Sequence, residues 1–94
     1  MGRKANPRRN YPGYVYLIRS FLGIYKIGRT KYPDERVKSL YRKYGAYEFI
    51  HLIKTPECTL LEKALHERFE EKRVNDEWFA LDPHDVEYIK GLMS

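Results

Sequence analysis

Five side chains in this 94-residue chain could share one reaction: the phenol of Tyr16, the ammonium of Lys26, the guanidinium of Arg36, the carboxylate of Glu62 and the imidazole of His66. A phenol titrates near about 10 when unperturbed, so using one as a base near neutrality requires positive charge close by. Taken singly, each residue has a plainer use. A strand tyrosine usually packs, with its hydroxyl satisfied at the surface. A glutamate in T-x-x-E, as in Thr59 to Glu62, usually caps a helix. Arg36 alone reads as a solvated first-turn residue, and a lone histidine on a helix as a partly buried, hydrogen-bonded one. His66 lies one turn after Glu62 on the same helix face, yet no second histidine follows at the spacing of a zinc motif. On the residues alone, the plainer uses prevail.

Residues 14–19 and 23–28 are rich in Val, Ile, Leu and Tyr and are separated by Ser20, Phe21 and Leu22, with Gly23 at the edge. They read as a β-hairpin. A three-residue loop centred on Phe21 sets Tyr16 directly across from Lys26, on one sheet face. The first strand is apolar at nearly every position from Val15 to Ile18, which suits a central strand covered on both sides. Pro33, Asp34 and Glu35 then start a helix with apolar positions Val37, Leu40, Tyr41 and Tyr44, and Gly45 ends it. Residues 47–53 read as a third strand, with Tyr47, Phe49, His51 and Ile53 on one face and Glu48, Ile50 and Leu52 on the other. A helical crossover makes this strand parallel to the second, so both flank the first in the order 2-1-3 with antiparallel pairing. The Thr59–Glu62 pair predicts a capping box opening a second helix, with Leu61, Ala64, Leu65 and Phe69 as its buried stripe, running to about Lys72. Trp78, Phe79 and Leu81 close that section, and Asp82 with Pro83 opens a short last helix through Val86, Ile89 and Leu92. The expected fold class is α/β of the α+β type: a small three-stranded antiparallel sheet flanked by about three helices. It forms a single domain over residues 14–94 behind an arm at residues 1–13.

The formal net charge is +5, and Arg3, Lys4, Arg8 and Arg9 stand in the first ten residues with no acid among them. An arm of this composition, carrying Gly2, Pro7, Pro12 and Gly13 and no hydrophobic period, predicts a mobile, polyphosphate-seeking element. Arg29 and Lys38 are further candidate phosphate contacts. No apolar run approaches the roughly 20 residues of a membrane span, and the lone Cys58 cannot form an internal disulfide, so the expected setting is cytoplasmic and reducing. Cys58, His51 and His84 receive no chemical role.

The hairpin, Gly28 and the arginine in the next element together resemble the GIY-YIG nuclease family, particularly its short phage and bacterial branch. YVY at residues 14–16 stands where the family's first motif stands, and KIG at 26–28 where its second does. Arg36 falls eight residues after Gly28, where the family arginine falls; Glu62 in LLEKALHERF falls at the family's metal-binding glutamate; and EWFAL at 77–81 is similar to the short branch. The resemblance covers residues 14–81. One position departs from it: the second motif's tyrosine is Lys26 here, and the nearby Tyr25 lies one position earlier, on the opposite face.

The resemblance implies a metal-dependent DNA endonuclease, either nicking or cutting both strands. Tyr16 helps activate or position the water and Arg36 grips the scissile phosphate. Glu62 holds one Mg²⁺ or Mn²⁺ whose shell is completed by water and phosphate oxygens, the way Mg²⁺ is commonly held. Lys26 would orient or protonate a phosphate oxygen, or lower the pKa of a neighbouring phenol, and His66 would assist the metal or the leaving group. The alternative from another class is a nucleic-acid-binding module that keeps the fold and basic surface without catalysis, a reading that the lysine at position 26 favours. A protein-interaction domain indifferent to nucleic acid leaves the basic arm and basic first helix unexplained. So short a domain offers few elements for base readout, so specificity would be low or come from a homodimer or accessory partner.

Overall fold

A computed structural model describes residues 10–92. Arg3, Lys4, Arg8 and Arg9 of the basic arm lie outside the described residues. In chain order the elements are β1 (Gly13–Ser20), β2 (Tyr25–Thr30), α1 (Pro33–Tyr44), β3 (Tyr47–Thr55), α2 (Cys58–Arg68), a 3₁₀ turn (Glu70–Lys72), β4 (Arg73–Asn75), β5 (Trp78–Phe79) and α3 (Pro83–Lys90). The class is α+β, with an antiparallel sheet in the order β3-β1-β2-β5-β4. β1 does sit between β2 and β3, but the sheet has five strands rather than the expected three. The two extra strands are two and three residues long, too short to show an alternating pattern in the sequence, and they exist because residues 73–79 fold back along β2.

β1 is buried on both faces because it separates two cores. Val15 and Leu17 pack with Ile27, Ile53, Leu65, Phe79 and Ile89 on the side of α2 and α3. Tyr16 and Ile18 pack with Leu40 of α1 on the other. Leu17 and Ile18 are no more than 1% exposed, and full burial of such a side chain stabilises by about 1.5–3 kcal/mol.

The hairpin register differs from the expected one by two residues. Tyr16 faces Gly28, and Lys26 faces Ile18. The turn keeps three residues but is displaced by one, to residues 21–23: Gly23, at φ 90°, takes its left-handed position, and the strands close through Ser20 N donating to Ile24 O at 2.9 Å. An even shift preserves the face, so Tyr16 and Lys26 remain on the same side, set diagonally. In β3 a bulge falls between the pairs Leu17–His51 and Ile18–Phe49, leaving Ile50 as the extra residue. A bulge reverses the alternation beyond it. The expected single face of Tyr47, Phe49, His51 and Ile53 is therefore divided: Ile53 joins the α2 side, while Tyr47 turns to α1 and donates its hydroxyl to Val37 O at 3.0 Å.

α1 starts at Pro33 and stops at Gly45, whose φ is 74°. α2 departs from expectation. It begins at Cys58, so Thr59 and Glu62 lie inside the helix, both buried, and the anticipated capping box is absent. Its early N–H groups are taken instead by the chain's other end. Tyr11 O accepts from Cys58 N at 3.1 Å and Asn10 Oδ1 accepts from Leu60 N at 2.8 Å. A helix's first N–H groups have no partner within the helix, so this long-range capping ties residues 10 and 11, expected to belong to a mobile arm, to α2. The buried face of α2 is Cys58, Thr59, Glu62 and Leu65; Ala64 is exposed, and the helix stops at Arg68 rather than running to Lys72. α3 is opened by a reciprocal Asp82–Asp85 capping box. Among the described residues, no helix is long and apolar enough to cross a membrane.

Candidate active site

Along β2, β5 pairs with Tyr25 and Lys26 alone, and Ile27 N donates to Glu77 O at 3.1 Å. Beyond that point no strand of the described residues covers the outer edge of β2 at residues 28–30. Groups from the two faces of the sheet meet around this open edge. Tyr16 and Lys26 arrive from the α1 side. Arg29, opposite Val15 in the ladder, turns toward α2, where Glu62 and His66 stand. Together they line an open cleft of roughly 920 Å³ that also takes Arg36 from the first turn of α1. All five residues singled out for chemistry border this one cleft, as does Arg29; Lys38, exposed on α1, does not.

Gly28 makes the meeting possible. A Cβ at this position would lie 2.4 Å from Tyr16 Oη and 2.5 Å from Cζ, distances that no real contact tolerates. The glycine supplies room for the ring of Tyr16 to lie across β2. Tyr16 is only 3% exposed. Burial raises its phenol well above the ordinary value, and the charge of Arg36 acts in the opposite direction.

Glu62 is 6% exposed and forms an ion pair with Arg29, whose Nε also donates to Tyr11 Oη at 3.1 Å. Burial pushes the Glu62 carboxyl above its ordinary value near 4.5, Arg29 opposes that shift, and Glu77 adds to it. Lys26 is paired in turn with Glu77. Two cations thus alternate with two carboxylates along the wall of the cleft. His66 donates Nε2–H to Ile27 O at 2.9 Å, which fixes its tautomer because a carbonyl can only accept, and its ring lies against Phe79. That nitrogen fastens α2 to β2, so the role of assisting a metal or leaving group is left to Nδ1 alone.

Several cleft residues were not singled out in the sequence. Glu77 comes from the β4–β5 turn, Trp78 from β5, Tyr11 from the chain before β1, Lys31 from the segment joining β2 to α1, and Lys43 from the last turn of α1. Glu77 and Trp78 are part of the EWFAL run, but only the pairing of β5 with β2 brings Glu77 to Lys26. Tyr11 carried no signal, since its place depends on capping a helix more than forty positions away.

Glu62 offers a hard anionic oxygen to a cation. Among the described residues no group of three or more His, Cys, Asp or Glu side chains is arranged to hold a metal ion. A cation bound by Glu62 would thus take water and phosphate oxygens as most of its ligands, as Mg²⁺ accepts.

Fold and cleft define a small α+β domain whose open sheet edge gathers a buried phenol, a buried carboxylate and several cations. The chain belongs to the T5orf172 domain family, which it matches over residues 13–94. This domain is found in phage proteins and is associated with endonucleases of the GIY-YIG-like and HNH types. No curated protein and no solved structure matches the chain significantly.

Proposed function

We propose that this domain is a metal-dependent endonuclease that hydrolyses DNA phosphodiester bonds with a one-metal site of the GIY-YIG type. The observation that carries the reading is the convergence of Tyr16, Lys26, Arg36 and Glu62 on one cleft, from four different elements, at the open edge of β2 where Gly28 makes room for the ring of Tyr16. Hydrolysis of a phosphodiester needs a positioned water, a hold on the phosphate and charge to meet the developing anion.

Arg36, exposed at the cleft wall, binds the phosphate. Lys26, held by Glu77, donates a hydrogen bond to a non-bridging phosphate oxygen. Tyr16 orients the water and, once ionised, takes its proton; burial disfavours the phenolate and Arg36 favours it. Glu62 would hold Mg²⁺ or Mn²⁺, which when bound would supply further neutralisation of the developing negative charge. Lys31, Lys43 and Arg29 border the same cleft and extend the positive surface along the DNA backbone, where contacts of this kind give affinity without sequence preference. Lys38 and the cations of the arm, Arg3, Lys4, Arg8 and Arg9, extend this reading beyond the cleft. One cleft per chain cuts one strand per encounter, so breaking both strands takes a second visit or a second copy.

The second reading, a DNA-binding module without catalysis, rests on Lys26 standing where the second phenol is expected. Incubating supercoiled plasmid with Mg²⁺, Mn²⁺ or EDTA separates the two readings. Metal-dependent nicking that Glu62→Ala and Arg36→Ala both abolish supports the nuclease. Intact plasmid in every lane, with salt-sensitive binding retained, supports the module.

A further inference from the structure

We propose that Arg29 is an exchangeable counter-ion of Glu62, which leaves the carboxylate for a DNA phosphate when a divalent cation takes its place, so that cation and DNA strengthen each other's binding. This inference rests on the metal-dependent reading above.

The two partners are unequal. The side chain of Glu62 is 7% exposed and fixed inside α2, whereas that of Arg29 is 32% exposed. Arg29 is thus the member that can move away once another cation stands at the carboxylate. It sits between the main cleft and a second groove on the α2 side, which is bordered by Leu60, Lys63 and Arg73 and again by Arg29, Glu62 and His66. A withdrawing guanidinium has open space on either side. Its other hydrogen bond is to Tyr11 Oη, a neutral acceptor that can follow it or release it. Glu62 has no comparable freedom, because a carboxylate removed from water must keep a positive partner or take up a proton. Either Arg29 or a divalent cation can fill that role, and both cannot press equally on the same oxygens.

A guanidinium released into the cleft carries its charge to where the phosphate lies, and it binds phosphate in the same forked geometry as carboxylate. Any ligand that engages Arg29 lowers the cost of putting a cation on Glu62, and by linkage the cation favours DNA to the same degree.

Mn²⁺ binding, followed by loss of the free-ion paramagnetic resonance signal at mildly alkaline pH, tests this without reference to catalysis. The DNA arms use a short duplex and a Tyr16→Phe background so that the strands stay intact. In protein without DNA, Arg29→Gln is expected to bind Mn²⁺ about tenfold tighter, within the usual range of coupling between sites. Tyr11→Phe, which keeps both charges and only loosens Arg29, should shift affinity in the same direction by a smaller factor. It also keeps the test open if Arg29→Gln does not fold. Duplex DNA should tighten Mn²⁺ binding to the protein that retains Arg29, and in Arg29→Gln this gain should fall by about tenfold to what direct phosphate ligation of the cation supplies. Arg29-independent Mn²⁺ affinity, or a DNA-driven gain that is undiminished in Arg29→Gln, overturns the exchange while leaving the metal reading intact. Mn²⁺ binding that is unchanged by Glu62→Gln overturns both.

Discussion

Replacing Gly28 by alanine isolates the geometric core of this site, because the added methyl group meets one side chain at its reactive end. Its carbon would lie 2.4 Å from Tyr16 Oη, 2.5 Å from Cζ and 2.9 Å from Cε2. Ordinary carbon contacts lie near 3.5–4.0 Å, so the ring must withdraw by about 1 Å. It cannot do so freely, since Tyr16 is 3% exposed and packed with Ile18, Leu40, Tyr44 and Trp78. Overpacking of this kind costs about 1–3 kcal/mol, which lowers the melting temperature of a domain this size by about 4–20 °C. The displaced hydroxyl should cost about a hundredfold in the rate of strand cleavage. Thermal melting and single-turnover cleavage, run well below the variant's melting temperature, measure the two effects separately. In a Tyr16→Phe background the hydroxyl is already gone, and Gly28→Ala should then remove little further rate, the signature of two residues acting through one contact. A Gly28→Ala protein that cleaves at the native rate would falsify the placement of Tyr16 as the water-orienting group.

Further outcomes follow from the same geometry. The cleavage rate of the native protein should climb about tenfold per pH unit through and above neutrality, because burial holds the phenol of Tyr16 above its ordinary value; a flat profile counts against a tyrosine base. Arg29→Ala leaves the buried Glu62 carboxylate unpaired and should lower stability at mildly alkaline pH by about 3 kcal/mol. The folded-state pKa of that carboxyl is raised, so the folded state binds the proton more tightly than the unfolded chain. Stability should therefore be regained as pH falls from the raised value toward the ordinary 4.5, and urea titrations showing equal losses at pH 5 and pH 8 would contradict this. Asp82→Ala removes the capping box of α3 and one partner of Lys72, which should cost about 1 kcal/mol while DNA affinity stays unchanged, since Asp82 does not border the cleft.

The parts of the fold legible in the sequence are those with strong local signals. The apolar run of β1, the Pro33 start and Gly45 stop of α1, and the Asp82–Pro83 opening of α3 all depend on residues within a few positions of each other. What stayed hidden depends on distant ones. The bulge at Ile50 is set by how β3 meets β1, and no local pattern announces it. Thr59 and Glu62 have the spacing of a capping box, yet Asn10 and Tyr11 supply the cap, which frees Glu62 to face the cleft. The shift in hairpin register was harmless because it was even, so Tyr16 and Lys26 kept their common face. Among the cleft residues, the pairing of Lys26 with Glu77 and of Glu62 with Arg29 could not be read from spacing, because each joins segments brought together only by the sheet and α2.

The central claim is that Tyr16, Arg36 and Glu62 form one hydrolytic site, and end-labelled duplex DNA addresses it most directly. Binding is measured in EDTA, and single-turnover cleavage is started by adding Mg²⁺ to the same complexes. Native protein should cleave, whereas Tyr16→Phe, Arg36→Ala and Glu62→Gln should each lose most of the rate while still binding DNA. Cleavage that persists in all three variants, or that proceeds in EDTA, would place the chemistry elsewhere.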